Sequence, residues 1–94
     1  MELNRNIGAV IRQLRTARSM TQSDLADKAA ITWRYLSDIE YGKRAVSIDV
    51  LERIAEVFHL KLSTLIARAE KYEMEFDAIT KVVPKMPITR SVNK

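Results

Sequence analysis

The stretch ITWRYLSDIE, residues 31–40, sets the chain's one tryptophan, Trp33, beside Arg34 and Tyr35. A guanidinium presents a planar fork of donors, so Arg34 can bond two acceptors at once, such as the O6 and N7 of a guanine. The phenol hydroxyl of Tyr35 suits a phosphate oxygen. Trp33 offers an apolar ring face for a thymine methyl or a sugar, and one N–H for a phosphate. Ser37 and Asp38 follow one turn later. Spacings of three and four put residues 33, 34, 37 and 38 on one face of a helix, and Leu36 and Ile39 on another. The stretch therefore reads as an inner apolar stripe with an outer polar face. Other roles stand beside these. Arg34 also suits a phosphate clamp or a solvated cation, and Trp33 a cover over the preceding turn. Tyr35 also suits a half-buried ring with a wet tip. Ser37 bonds bases of several kinds and so carries little information. Asp38 accepts from a cytosine amine or neutralises Arg34.

The elements that must hold this face are helical. In NIGAVIRQLRTARS, Ile7, Val10, Ile11 and Leu14 recur at i, i+3, i+4 and i+7, with Asn4 or Asn6 as the expected cap. Thr21 to Asp24 has the form of a capping box, with Asp in place of the usual Glu or Gln. The helix it starts covers QSDLADKA. Thr32 caps a third helix of about Trp33 to Tyr41, and Gly42 stands where a helix stops. Two short helices joined by three or four residues form a helix-turn-helix, with Ala26 small at the expected crossing of their axes. Ser47 caps a fourth helix, whose expected buried stripe is Ile48, Leu51, Ile54, Ala55 and Phe58. A fifth starts near Leu62, and Leu62, Leu65, Ile66 and Ala69 give it an apolar face. From Thr80 the pattern fails, and TKVVPKMPITRSVNK reads as a non-helical arm or tail. The expected division is residues 1–77 as one helical domain and 78–94 as the tail.

Composition narrows the class. Ninety-four residues with 47% hydrophobic content make one small all-α domain, and two glycines and two prolines are too few for a β sandwich. The absence of cysteine removes disulfides and thiolate metal sites. No apolar run reaches the roughly 18 residues that span a bilayer, so a cytoplasmic protein without a membrane role is expected. His59 stands alone at a helix end, which suits a capping or surface residue and not a metal ligand. No nucleophile or glycine-rich motif appears, so neither an enzyme nor a cofactor is expected. Charge is uneven along the chain. Residues 1–45 carry a net +3, residues 46–77 a net −3 and residues 78–94 a net +4, so a polyanion would prefer the ends to the middle.

The segments IRQLR, MTQSDLADKAAITWRYLSDIEYGKR and SIDVLERIAEVF together resemble the Xre/Cro family of helix-turn-helix DNA-binding domains over roughly residues 5–70. That family includes lambda-type phage repressors, antitoxin-type autoregulators and restriction–modification controller proteins. The resemblance implies a five-helix bundle, often a homodimer on double-stranded DNA. It implies that Gln22 bonds phosphate and braces the third helix, and that Lys43 and Arg44 meet the backbone of the DNA. It also implies a partly buried ion bridge from Arg15 to Glu40. The family often has glycine at the position of Ala30, so a left-handed Ala30 would carry strain of about 1 kcal/mol.

In a helix-turn-helix the second helix enters the major groove, N-terminal residues first. The expected DNA-binding set is Gln22, Thr32, Trp33, Arg34, Tyr35, Ser37, Asp38, Lys43 and Arg44. A reading helix this short needs a second copy to cover a palindromic site. Val50, Val57, Leu60, Leu65, Tyr72 and Phe76 are the expected seam of that homodimer, the other use for them being the monomer core. The expected function is an autoregulating repressor, or a controller that also touches RNA polymerase. The alternatives are an antitoxin that binds a toxin through its C-terminal part and a protein-interaction module without DNA specificity.

Overall fold

The computed structural model describes the backbone of residues 2–82 and the side chains of residues 3–72. Five helices run in the order α1 (Glu2–Ala17), α2 (Gln22–Ala29), α3 (Trp33–Glu40), α4 (Ile48–Val57) and α5 (Leu62–Val82). Among the described residues there is no strand.

Local chemistry starts and stops the helices. Thr21, Thr32 and Ser47 each sit extended before a helix, and their hydroxyls accept the backbone N–H of Asp24, Tyr35 and Val50 at 3.0, 3.1 and 3.2 Å. At Thr21 the box closes, because its own N–H donates to Asp24 Oδ2 at 2.9 Å. Helices α1 to α4 all end in one way. Ser19, Ala30, Gly42 and His59 take φ of 56°, 59°, 73° and 59°. The next residue's N–H then reaches back five positions, from Met20 to Arg15, Ile31 to Ala26, Lys43 to Asp38 and Leu60 to Ala55, at 2.8–3.1 Å. These are Schellman closures, and three of the four use a residue other than glycine. His59 is thus an exposed closing residue of α4.

The apolar stripes of the helices meet in one core, with Ile11, Leu25, Leu36, Ile54, Phe58 and Leu65 fully buried at its centre. Each such side chain contributes about 1.5–3 kcal/mol over its exposed state. Helix α1 packs on both α3 and α5, while α2 packs on α3 and α4. Gly8 makes the α1–α3 crossing possible: a Cβ there would collide with the Ile39 carbonyl oxygen. Ala26 is buried as its small size suggested.

Four expectations change. Helix α1 begins at Glu2, so Asn4 and Asn6 lie inside it; Asn6 is buried, and its Nδ2 makes no hydrogen bond. Ile48 is 61% exposed, because it stands in the first turn of α4 where nothing packs; Val50 takes its place in the core. Val50 and Leu65, at 6% and 0% exposure, belong to that core and cannot form a free seam. Helix α5 runs past Thr80 to Val82. The rest of the expected tail lies outside the described residues.

Candidate nucleic-acid interface

Helices α2 and α3, joined through Ala30, Ile31 and Thr32, set the frame for the outer face of α3. Leu36 and Ile39 point inward and are buried. Trp33 is 54% exposed, and Thr32 and Arg34 are exposed beside it. Ser37 and Asp38 continue the same face, half-buried. Tyr35 lies at the edge, half-buried against the core. The Thr32 hydroxyl already accepts from Tyr35 N, so it meets any partner with one lone pair engaged.

Two arginines are held on rings at this face. The Arg34 guanidinium carbon lies 5.5 Å from the Trp33 ring centroid, and that of Arg44 lies 4.7 Å from the Tyr35 ring. Among the described residues Arg34 makes no ion pair with Asp38. Its charge is left for an outside partner, and its stacking on Trp33 limits the freedom it must lose on binding. Lys43 and Arg44 are exposed on the loop that follows α3, where the left-handed Gly42 turns the chain.

Behind the face sits a polar brace. Glu40, the last residue of α3, is buried with its side chain 0% exposed. A carboxylate at a helix C-terminus is opposed by the helix dipole. Arg15 offsets this with a bidentate grip, Nε to Oε2 at 2.7 Å and Nη2 to Oε1 at 3.1 Å. Gln22 Nε2 adds a bond to Oε1 at 3.0 Å, and Arg15 Nη1 donates to the Met20 carbonyl at 2.7 Å. The Arg15–Glu40 pair therefore joins α1, the α1–α2 link, the start of α2 and the end of α3.

A second brace was not visible in the sequence. Arg53 of α4 donates from Nη1 to the carbonyls of Ala29 and Ala30 at 3.0 and 3.2 Å. Its Nη2 pairs with Asp49 at 3.2 Å. Ala30 does take the left-handed conformation, with the strain of about 1 kcal/mol that alanine carries there. The pairing spans 24 residues, and its only sequence signal is a cation one turn after an acid on α4.

Of the expected seam, Val57, Leu60 and Tyr72 are half-buried and pack on the edge of the core, while the side chain of Phe76 lies outside the described residues. Among the described residues no helix is long and apolar enough to cross a membrane, and no cluster of three or more His, Asp or Glu stands ready for a metal.

This geometry has close relatives. The family described as Helix-turn-helix matches residues 11–65. The HTH-type transcriptional regulator SinR of Bacillus subtilis is 38% identical over 72 residues, which are 76% of this chain and 63% of that protein. The chain thus spans less than two thirds of that regulator's length. The ImmF control region 10 kDa protein of Bacillus phage phi105 is 34% identical over 61 residues, covering 65% of this chain and 68% of that protein. Among solved structures, the restriction–modification controller protein C.AhdI of Aeromonas hydrophila superposes with a TM-score of 0.62 at 28% identity, over 65% of this chain and 92% of that one. The family match covers more than half of the chain, and the chain belongs to the Xre-type helix-turn-helix family.

Proposed function

We propose that the chain is a sequence-specific, DNA-binding transcriptional regulator that reads a palindromic operator as a homodimer and represses its own promoter by occupying it. The observation that supports this best is the outer face of α3. Trp33 and Arg34 stand exposed at its N-terminal end, on a helix held from behind by a fully buried carboxylate. A rigid reading helix is what base discrimination needs, because a contact misplaced by an ångström loses its geometry. Arg34 is the base reader, with Trp33, Ser37 and Asp38 beside it. Thr32, Tyr35, Lys43 and Arg44 meet phosphate. Gln22, at the N-terminus of α2, meets phosphate through its remaining polar atoms and the helix N–H groups. Two copies would place their α3 helices about 34 Å apart, one turn of the duplex. Val57, Leu60 and Tyr72, on the acidic section that DNA disfavours, supply the apolar part of the contact between copies.

The test uses Trp33 as its own reporter. Its fluorescence is titrated with the DNA upstream of the protein's gene and with a scrambled duplex, at two salt concentrations. The upstream duplex is expected to bind more tightly, with affinity falling as salt rises. Arg34→Ala is expected to remove most of the preference. Equal binding to both duplexes at both salts would sink the claim of sequence specificity.

A further inference from the structure

The turn between α2 and α3 decides where the reading helix points. Ala29 and Ala30 carry the last carbonyls of α2 before the chain passes Ile31 and enters α3 at Thr32. Both carbonyl oxygens accept from a single atom, Nη1 of Arg53. The ion pair of Arg53 with Asp49 explains little by itself, since Asp49 is largely exposed and such pairs contribute almost nothing. The two carbonyls are another matter. They lie at the negative end of α2, and one belongs to a residue whose backbone is strained. The Nε of Arg53 is buried and makes no hydrogen bond. The side chain keeps 37% exposure, so the guanidinium is partly solvated, yet its Nη1 is directed at those two carbonyls.

We propose that Arg53 is a positioning residue for sequence recognition: its guanidinium holds the carbonyls of Ala29 and Ala30 and so fixes the angle at which α3 leaves the turn. The functional consequence rests on the DNA-binding reading; the geometry does not. Alanine is disfavoured in the left-handed region, so without Arg53 the turn is held there only by backbone bonds such as Ile31 N–H to the Ala26 carbonyl, and other conformations gain weight. Thr32 caps α3 two residues after Ala30, and a rotation at Ala30 therefore carries Trp33 and Arg34 with it. Helix α4, which supplies none of the proposed DNA contacts, thereby takes part in setting that surface.

The test compares Arg53→Ala, Ala30→Gly and the double variant by two readouts. The first needs no DNA: the Trp33 indole N–H resonance and the amide exchange of residues 31–36 in the free protein. The second is the ratio of affinities for the upstream and the scrambled duplex. Arg53→Ala is expected to shift the resonance, speed the exchange and cut the ratio about tenfold, the effect of losing a charge-assisted hydrogen bond. Binding to the scrambled duplex is expected to stay unchanged. Adding Ala30→Gly is expected to restore part of the ratio, because glycine holds the left-handed turn unaided. A lower unfolding midpoint with the Trp33 resonance and the ratio both unmoved would overturn the proposal. So would a loss of equal size with and without Ala30→Gly. If Arg53→Ala does not fold, Arg53→Lys keeps the charge and stem but not the fork. It is expected to move the resonance in the same direction, and wild-type behaviour from it overturns the proposal. A wild-type protein that prefers neither duplex would defeat the DNA reading alone, and the DNA-free readout would still decide the role of Arg53.

Discussion

Arg15 of α1 and Glu40 of α3 face each other across the bundle with two parallel hydrogen bonds, at 2.7 and 3.1 Å, around a carboxylate that has no exposure to solvent. Such a pair is poor evidence of net stability, because both charges were taken out of water to form it. Breaking it is a different matter. Arg15→Ala leaves the Glu40 carboxylate with only the Gln22 amide, and is expected to cost about 3–5 kcal/mol. Replacing both partners by Met and Leu is expected to cost far less than the sum of the single changes. Urea unfolding of the double-mutant cycle checks this, and additive losses would mean the pair is not coupled.

Gly8 predicts a sharp local intolerance. Its missing Cβ leaves room for the Ile39 carbonyl, which is backbone and cannot swing aside. Gly8→Ala is expected to cost at least about 2 kcal/mol, even though alanine is the better helix former. The melting temperature should fall by about 4–8 °C for each kcal/mol. A stable Gly8→Ala protein would mean that the crossing of α1 and α3 yields enough to admit a methyl group beside the Ile39 carbonyl.

The helix closures at Ser19 and His59 point the other way. Both residues hold a positive φ without being glycine. Ser19→Gly and His59→Gly should each relieve about 1–2 kcal/mol of strain, against about 0.4–1 kcal/mol of added unfolded-state freedom. A net gain of about 0.5 kcal/mol is expected, read as a higher denaturant midpoint at unchanged slope. A lower midpoint in both variants would refute it.

Asp24 gives a pH dependence with a definite sign. Its carboxyl is held below the usual carboxylate range, first by the hydrogen bond from the Thr21 backbone, then by the Thr21 side chain, with Lys28 adding a smaller pull against desolvation. Folding therefore favours the ionised form. The stabilisation is in place above the unfolded value of about 3.9 and is lost as pH falls through the lower folded value. Stability measured against Asp24→Asn should show the wild-type advantage at neutral pH shrinking on acidification. An advantage independent of pH would mean that the box works without the charge.

Bases and phosphates should separate by residue. Arg34→Ala is expected to relax preference at one base pair by about 1–3 kcal/mol. Lys43→Ala should instead weaken binding to every duplex and lower the salt slope by about 1. If Lys43→Ala alters base preference and Arg34→Ala does not, the assignments must be exchanged.

What could be read in the sequence was mostly local. Thr21, Thr32 and Ser47 declared their helices because a cap acts within three residues. The two faces of α3 followed from spacing alone. Periodicity failed where a neighbour decides the outcome. It put Ile48 in the core because it could not show that the first turn of α4 has nothing against it. A surplus of apolar residues likewise did not separate core from seam, and Val50 and Leu65 went to the core. Gly42 announced one left-handed closure and the resemblance raised a second at Ala30, whereas Ser19 and His59 gave no sign of the other two. The Arg53 brace and the Gly8 crossing join positions far apart in the chain, so no local pattern carries them.

The residues of α3 that hold the fold and those that face outward overlap only at Tyr35, which packs on the core edge: Leu36, Ile39 and Glu40 are buried, while Trp33 and Arg34 are exposed. A lineage can therefore rewrite the outer set one substitution at a time without passing through an unfolded ancestor. The scaffold behaves as a socket and the outer face as an exchangeable key. On the proposed DNA-binding role, divergence of target sequence is then limited by the DNA such proteins must still find, not by the domain that carries the key.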